Sequence, residues 1–269
     1  MAGEHAQAQL TSVHNPRVKQ WAALLDKKGR AKQGQFLAEG VHLVQEALLS
    51  GAAVDCVVYD AERGVPHELE PLQAGSSAQW IAATEPILAK CTGTDTPPRV
   101  FAVVAMPHLR PEQLYGAERP VVVLDAVADP GNVGTIIRAA DAAGAAGVVL
   151  GSGCADPYNP KTVRSTMGSL LHLPVIKAPL PELLGEARRR GARLVGTALD
   201  AERDCYAADW TGPVWLVLGS ESRGMSPEVR ELVDESVLIP IEGRAESLNV
   251  AMAGTILLYE ALRQRTRTL

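Results

Sequence analysis

The apolar positions change rhythm several times along the chain. Between Asn15 and Gly34, Val18, Trp21, Leu24 and Leu25 recur at helical spacing, which predicts a short amphipathic helix running into a basic, glycine-containing loop. FLAEG then reads as a strand edge, VHLVQEALLSG as a helix stopped by Gly51, and VDCVVYD as a strand. The stretch from AQWIAA to VFAVVAM repeats the idea, with a strand, a helix from Glu85 to Cys91, a polar Thr/Gly/Pro loop and a second strand. Together these make an αβ unit of about 100 residues, an ordinary domain size.

The stretch PHLRPEQLYGAERP has three prolines and little periodicity, and reads as a linker. After it, strands VVVLDAV, GVVLG, LPVIKA, RLVGTAL, WLVLGS and VLIPI alternate with helices NVGTIIRAADAAGA, PKTVRSTMGSLL, LPELLGEARRRG and one around PEVRELV. These strands are short, continuous and β-branched, as in a buried parallel sheet with helices on both faces. The expected fold class is α/β. The expected division is a smaller αβ domain over residues 1–106, a linker at 107–119 and a larger domain over 120–269. The last apolar stretch, ESLNVAMAGTILLYEAL, has helical spacing and predicts the final helix. Glu246, Ser247 and Asn249 crowd polar groups into its first turn, more than one N-cap needs.

Composition narrows the class of protein. The chain has 269 residues, 46% hydrophobic and 21% charged, enough for a sizeable core. No apolar run reaches the length of a membrane span, and MAGEHAQAQLTSVHN lacks the basic start and apolar stretch of a signal peptide, so a cytoplasmic location without membrane association is expected. The four cysteines form no CxxC pair and the six histidines no HxxxH pattern, so neither a metal site nor a disulfide framework is expected. Net charge is −5, which argues against strong nucleic-acid binding, but its distribution is uneven. Arg17, Lys19, Lys27, Lys28, Arg30 and Lys32 stand against the single acid Asp26. That run is either a solvated face or an electrostatic footprint for a phosphate backbone.

In α/β architectures ligands bind beyond the carboxyl ends of the strands, so the chemistry belongs in those loops. In DAVADPGNVGTIIR, Asn132 reads as an N-cap, while Arg138 reaches toward a phosphate or carboxylate. In PYNPKTVRSTMG, Lys161 and Arg164 precede a patch of small residues, either a surface helix start or a phosphate-facing edge. In LVLGSESRGMSPEV, Ser226 and Pro227 suit a helix start, and Glu221 is left without a structural role. No GxGxxG or GxxxxGK[ST] pattern occurs, which counts against a nicotinamide or ATP site.

Taken together, these loops resemble the three signature motifs of the SpoU (TrmH) family of RNA 2′-O-ribose methyltransferases. The motifs are N-x-G-x-x-x-R at Asn132, Gly134 and Arg138, L-G-x-E-x-x-G at Leu218, Gly219, Glu221 and Gly224, and S-L-N-V from Ser247 to Val250. The stretch from NPRVKQWAALL to HLVQEAL is similar to the L30e-like substrate-binding domain of the family's ribosomal-RNA branch. The resemblance implies a deep trefoil knot in the C-terminal domain, a homodimer, and methylation of a ribose 2′-hydroxyl, most naturally in 23S ribosomal RNA. A transfer-RNA ribose methyltransferase and a non-catalytic ribosome- or RNA-binding protein are the alternatives. It implies S-adenosylmethionine as cofactor, with S-adenosylhomocysteine as product, and assigns Thr197, Gly219, Ile239 and Leu248 to the cofactor pocket. It further implies that Arg138, Asn132, Glu221, Ser247 and Asn249 form the catalytic set, with Arg138 either activating the hydroxyl or clamping the neighbouring phosphate. RNA contacts then fall to Arg17, Lys27, Lys28, Arg30, Lys32, Lys161 and Arg164.

Overall fold

A computed structural model describes residues 9–267. The chain divides into two compact units, residues 1–107 with 158–171, and residues 108–157 with 172–269.

The first unit opens with α1 (Pro16–Ala22), whose N-cap Asn15 accepts a hydrogen bond from the amide of Arg17 and whose first helical residue is proline. A 3₁₀ turn, Ala23–Leu25, leads directly into α2 (Lys27–Gln33). Then come β1 (Gln35–Glu39), α3 (Val41–Leu49), β2 (Val54–Asp60), the single turn α4 (Glu70–Gln73), β3 (Gln79–Ala83), α5 (Glu85–Thr92) and β4 (Val100–Ala105). The four strands form one mixed sheet in the order β1-β4-β2-β3, antiparallel except for the β2–β3 pair. Val18, Trp21 and Leu24 pack against Leu37, Val58, Phe101 and Val103, with Trp21 edge-on to Phe101 at 6.0 Å. The expected basic loop is therefore a helix, packed so closely that a Cβ at Gly29 would lie 1.8 Å from the carbonyl oxygen of Ala23.

The second unit carries β5 (Val121–Leu124), α6 (Pro130–Ala142) and β6 (Gly147–Leu150). The chain next lends α7 (Pro160–Thr166) to the first unit, where Tyr158 meets Phe36 with ring centroids 5.0 Å apart. The expected helix over PKTVRSTMGSLL breaks at Met167 and Gly168, both at positive φ. Back in the second unit follow β7 (Val175–Lys177), α8 (Leu180–Arg189), β8 (Arg193–Thr197), the two-residue β9 (Arg203–Asp204), β10 (Val214–Leu218), α9 (Pro227–Arg230), β11 (Glu235–Leu238) and α10 (Val250–Arg267). All seven strands are parallel, in the order β7-β6-β5-β10-β8-β11-β9. Leu180, Leu183, Leu184 and Ala187 of α8 recur at helical spacing and pack on Val149, Ile176, Leu194 and Trp215.

Three expectations are corrected here. The proline-rich stretch is no free linker, because Leu114 is fully buried in the second unit's core and Tyr115 stacks on Trp215 at 5.9 Å. The helix around PEVRELV is a single turn. The final helix starts at Val250, so Glu246 and Ser247 lie in the loop before it.

Candidate active site

The strand order reverses direction at β5, which has β6 on one side and β10 on the other. Ligand sites in such sheets lie beyond the strand ends near the switch. A cavity of about 150 Å³ opens to the β10 side of that point, at the ends of β8, β10 and β11. Thr197, Gly219, Ile239 and Leu248, the four residues expected to hold a cofactor, all line it. Leu218, Val237, Leu238 and Val250 add apolar surface, while Ser220, Ser247 and Glu221 supply side-chain polar groups.

Backbone constraint shapes one wall. After β10 the chain folds on itself: the amide of Ser220 donates to the carbonyl of Gly224 at 2.9 Å, and the amide of Gly224 returns a bond to Ser220 at 2.8 Å. Gly224 has φ +67°, a conformation that favours glycine. A Cβ on Gly219 would stand 2.1 Å from both Gly224 C and Met225 N. The glycines of this motif therefore let a tight loop close beside the cavity.

The motif side chains meet at the same place. Asp129, not Asn132, caps α6, its Oδ1 accepting from the amide of Asn132 at 3.0 Å. The Asp-Pro pair at 129 and 130 carried that signal in the sequence. With the cap filled by Asp129, Asn132 Nδ2 donates to Glu221 Oε1 at 2.5 Å. Asn249 Nδ2 donates to Asn132 Oδ1 at 3.1 Å and to Glu221 Oε1 at 3.0 Å. Asn249 Oδ1 meanwhile accepts from the amides of Ala251 and Met252, at 2.9 and 3.3 Å, capping α10. One side chain thus starts the last helix and ties it to the other two motifs. Ser247 reaches the cavity but not this triangle.

Sequence reasoning missed Asp125. Its carboxylate, 6% exposed at the end of β5, accepts from the amide of Ser226 at 2.6 Å and holds the far end of the loop that carries Glu221. Arg138 lies exposed on α6 and makes no ion pair among the described residues. Among the described residues no group of three or more His, Cys, Asp or Glu could hold a metal ion.

The basic residues divide. Lys27, Lys28 and Lys32 are exposed on α2, and none forms an ion pair among the described residues. Arg17 lies 5.2 Å over the ring of Trp21 and donates to Gln79. Arg30 must be removed from the expected phosphate contacts: it is 2% exposed, and its Nη1 donates to the carbonyls of Leu24 and Leu25, both at 2.8 Å. Lys161 is exposed, whereas Arg164 is held 2.8 Å from the Glu39 carboxylate. Burial raises the Glu39 carboxyl above its ordinary range, against the lowering effect of Arg164.

A parallel α/β sheet with a cavity at the ends of β8, β10 and β11 and three interlocked polar motifs beside it defines a recognisable class. Residues 119–259 match the SpoU rRNA Methylase family, and residues 15–102 match the MRM3-like substrate binding domain. The chain belongs to the SpoU rRNA methylase family. It is 40% identical over 251 residues to the 23S rRNA (guanosine(2553)-2′-O)-methyltransferase RlmP of Bacillus subtilis, covering 93% of this chain and 98% of that protein. It is 39% identical over 267 residues to the 23S rRNA (uridine(2479)-2′-O)-methyltransferase of Streptomyces viridochromogenes, covering 96% and 93%. Among solved structures, the Streptomyces viridochromogenes SpoU methyltransferase AviRb in complex with AdoMet superposes with a TM-score of 0.86 at 37% identity, over 94% of this chain and 99% of that one.

Proposed function

We propose that this protein transfers a methyl group from S-adenosylmethionine to a ribose 2′-hydroxyl of RNA, in 23S ribosomal RNA. The carrying observation is the triangle of Asn132, Glu221 and Asn249, in which Glu221 also lines the cavity. Relatives that match nearly the whole chain bear the names of 23S rRNA 2′-O-methyltransferases, which supports the same reaction here.

The cavity suits the cofactor. Its lining is largely apolar, as an adenine ring and the methylene groups of the methionine arm require, and the missing Cβ of Gly219 leaves backbone at its wall. Thr197, Gly219, Ile239 and Leu248 would hold it. When bound, S-adenosylmethionine supplies an electrophilic methyl group on a sulfonium sulfur. The remaining work is alignment and removal of a proton from the ribose hydroxyl. Alignment can supply on the order of 7–11 kcal/mol in favourable cases.

Arg138 carries the substrate side of that work. An arginine keeps its proton in ordinary protein surroundings, so a phosphate clamp that eases ionisation of the adjacent hydroxyl suits it better than a free general base. With no ion pair among the described residues, its guanidinium is available for a phosphate. Asn132, Glu221 and Asn249 keep the three loops in register, and Ser247 supplies a hydroxyl at the cavity wall.

The first unit, with α7, serves as the substrate-binding part and the second as the catalytic part, in which the last segment forms the family's trefoil knot. Arg17, Lys27, Lys28, Lys32, Lys161 and the half-exposed Arg164 meet RNA phosphates. A second copy completes the enzyme: Met252 and Tyr259 of α10 are 59% and 49% exposed, apolar surface suited to a like partner. Among the described residues no helix is long and apolar enough to cross a membrane. A reaction on ribosomal RNA supports a cytoplasmic location.

Replacing Arg138 with alanine tests the assignment. Methyl transfer to RNA should fall at least ~100-fold, the scale of a lost transition-state contact to charge. S-adenosylhomocysteine affinity should stay within about twofold by calorimetry, since Arg138 does not line the cavity. Wild-type turnover in the Arg138→Ala protein would refute the role.

A further inference from the structure

The loop after β10 carries a charge that the triangle does not use. Glu221 and Arg223 stand two residues apart at its tip, yet they form no ion pair with each other among the described residues. The Glu221 carboxylate is instead taken by the side-chain amides of Asn132 and Asn249, at 2.5 and 3.0 Å. Arg223 is exposed, and its guanidinium has no hydrogen bond or ion pair among the described residues. Single surface cations are common and by themselves carry no message.

The mount sets this one apart. Ser220 and Gly224 exchange two backbone hydrogen bonds, at 2.9 and 2.8 Å, which leaves residues 221–223 alone at the tip. Inside that turn the amide of Arg223 donates to Ser220 Oγ at 3.3 Å. Just beyond it, the Asp125 carboxylate accepts from the amide of Ser226 at 2.6 Å. The backbone under Arg223 is therefore fixed on both sides. A cation so mounted gives up little backbone freedom when it meets an anion, so ordering costs less of the contact energy.

The Asn132–Glu221 bond ties the same tip to α6, where Arg138 stands six residues, about 9 Å of helix, past Asn132. One phosphate contact at Arg138 leaves an RNA strand free to pivot about it. A second contact, on an element bonded to the first, sets the direction in which the strand crosses the site. We infer that Arg223 is that second phosphate contact, and that with Arg138 it orients the substrate strand over the triangle of Asn132, Glu221 and Asn249. The inference rests on the RNA methyltransferase reading above and adds a residue to its substrate side. Arg223 does not line the cofactor cavity, so its contribution belongs to RNA.

The experiment uses the full-length protein, methyl-labelled S-adenosylmethionine and 23S ribosomal RNA transcribed without modification. Arg223→Gln is expected to raise KM for RNA roughly five- to tenfold, and to flatten the dependence of log RNA affinity on log salt by about 0.7, the loss of one phosphate contact. Arg223→Lys keeps the charge but not the planar fork, so it should retain the salt dependence and recover part of the affinity. Calorimetry with S-adenosylhomocysteine should give an affinity within about twofold of wild type for both variants, which shows that the loop keeps its shape. Unchanged KM for RNA and unchanged salt dependence in Arg223→Gln, beside an active wild type, overturn this inference alone. So does a weakened S-adenosylhomocysteine affinity with no change toward RNA, which would move Arg223 to the cofactor side. A wild type that binds S-adenosylhomocysteine but methylates no ribose overturns the reading beneath it.

Discussion

Gly219 is the residue whose identity the surrounding atoms dictate most directly. The atoms a side chain would strike are backbone, Gly224 C and Met225 N at 2.1 Å, so no rotamer change relieves the clash. Gly219→Ala must therefore open the 219–225 loop. We expect a loss of ~1–3 kcal/mol in unfolding free energy, typical of overpacking, and at least a tenfold loss of S-adenosylhomocysteine affinity. Urea unfolding and calorimetry read the two effects, and an unchanged affinity would show that the loop does not shape the cavity. Asn249 shows what was readable at this scale. Three polar groups before the last apolar run exceeded the needs of one cap, and the surplus is the amide nitrogen bonded to Asn132 and Glu221. Asp125 was unreadable because its partner, the amide of Ser226, lies 101 residues away along the chain.

Helix α2 (Lys27–Gln33) carries the lesson at the scale of elements. Gly29 and a run of charges read as a loop, yet Gly29 is there for close approach to Ala23, and Gly34 ends the helix at φ +63°. A helix so placed turns Arg30 inward and Lys27, Lys28 and Lys32 outward, which charge counting along a sequence cannot distinguish. The two kinds of cation should separate cleanly on mutation. Arg30→Ala leaves the carbonyls of Leu24 and Leu25 without these donors and should cost about 2 kcal/mol of stability. Lys28→Ala should leave the urea midpoint unchanged and lower RNA affinity, with a shallower dependence on salt. Equal destabilisation by both would mean that α2 does not present a basic face. The single turn α9 (Pro227–Arg230) follows the same logic, since its start at Ser226 was visible and its end after four residues was not.

For the whole molecule, the continuous β-branched strands pointed to a parallel sheet, and the second unit has one of seven strands. Their order was beyond reach, because placing β10 between β5 and β8 depends on partners far apart along the chain. The membership of residues 158–171 in the first unit was hidden for a similar reason. It rests on Tyr158 against Phe36 and on Gly168, where a Cβ would come within 2.7 Å of Glu46. The sheet order nevertheless brings the ends of β8, β10 and β11 together with the first turn of α6, and the three motifs become one site. The direct test of that site is transfer of a labelled methyl group. Purified protein is incubated with methyl-labelled S-adenosylmethionine and 23S ribosomal RNA transcribed without modification, and the RNA is then digested with alkali. Label in a single alkali-resistant dinucleotide, lost with Arg138→Ala, is the predicted result, because only a methylated 2′-oxygen blocks cleavage at that linkage. Label in a base, or none from a protein that binds S-adenosylhomocysteine, would contradict the account.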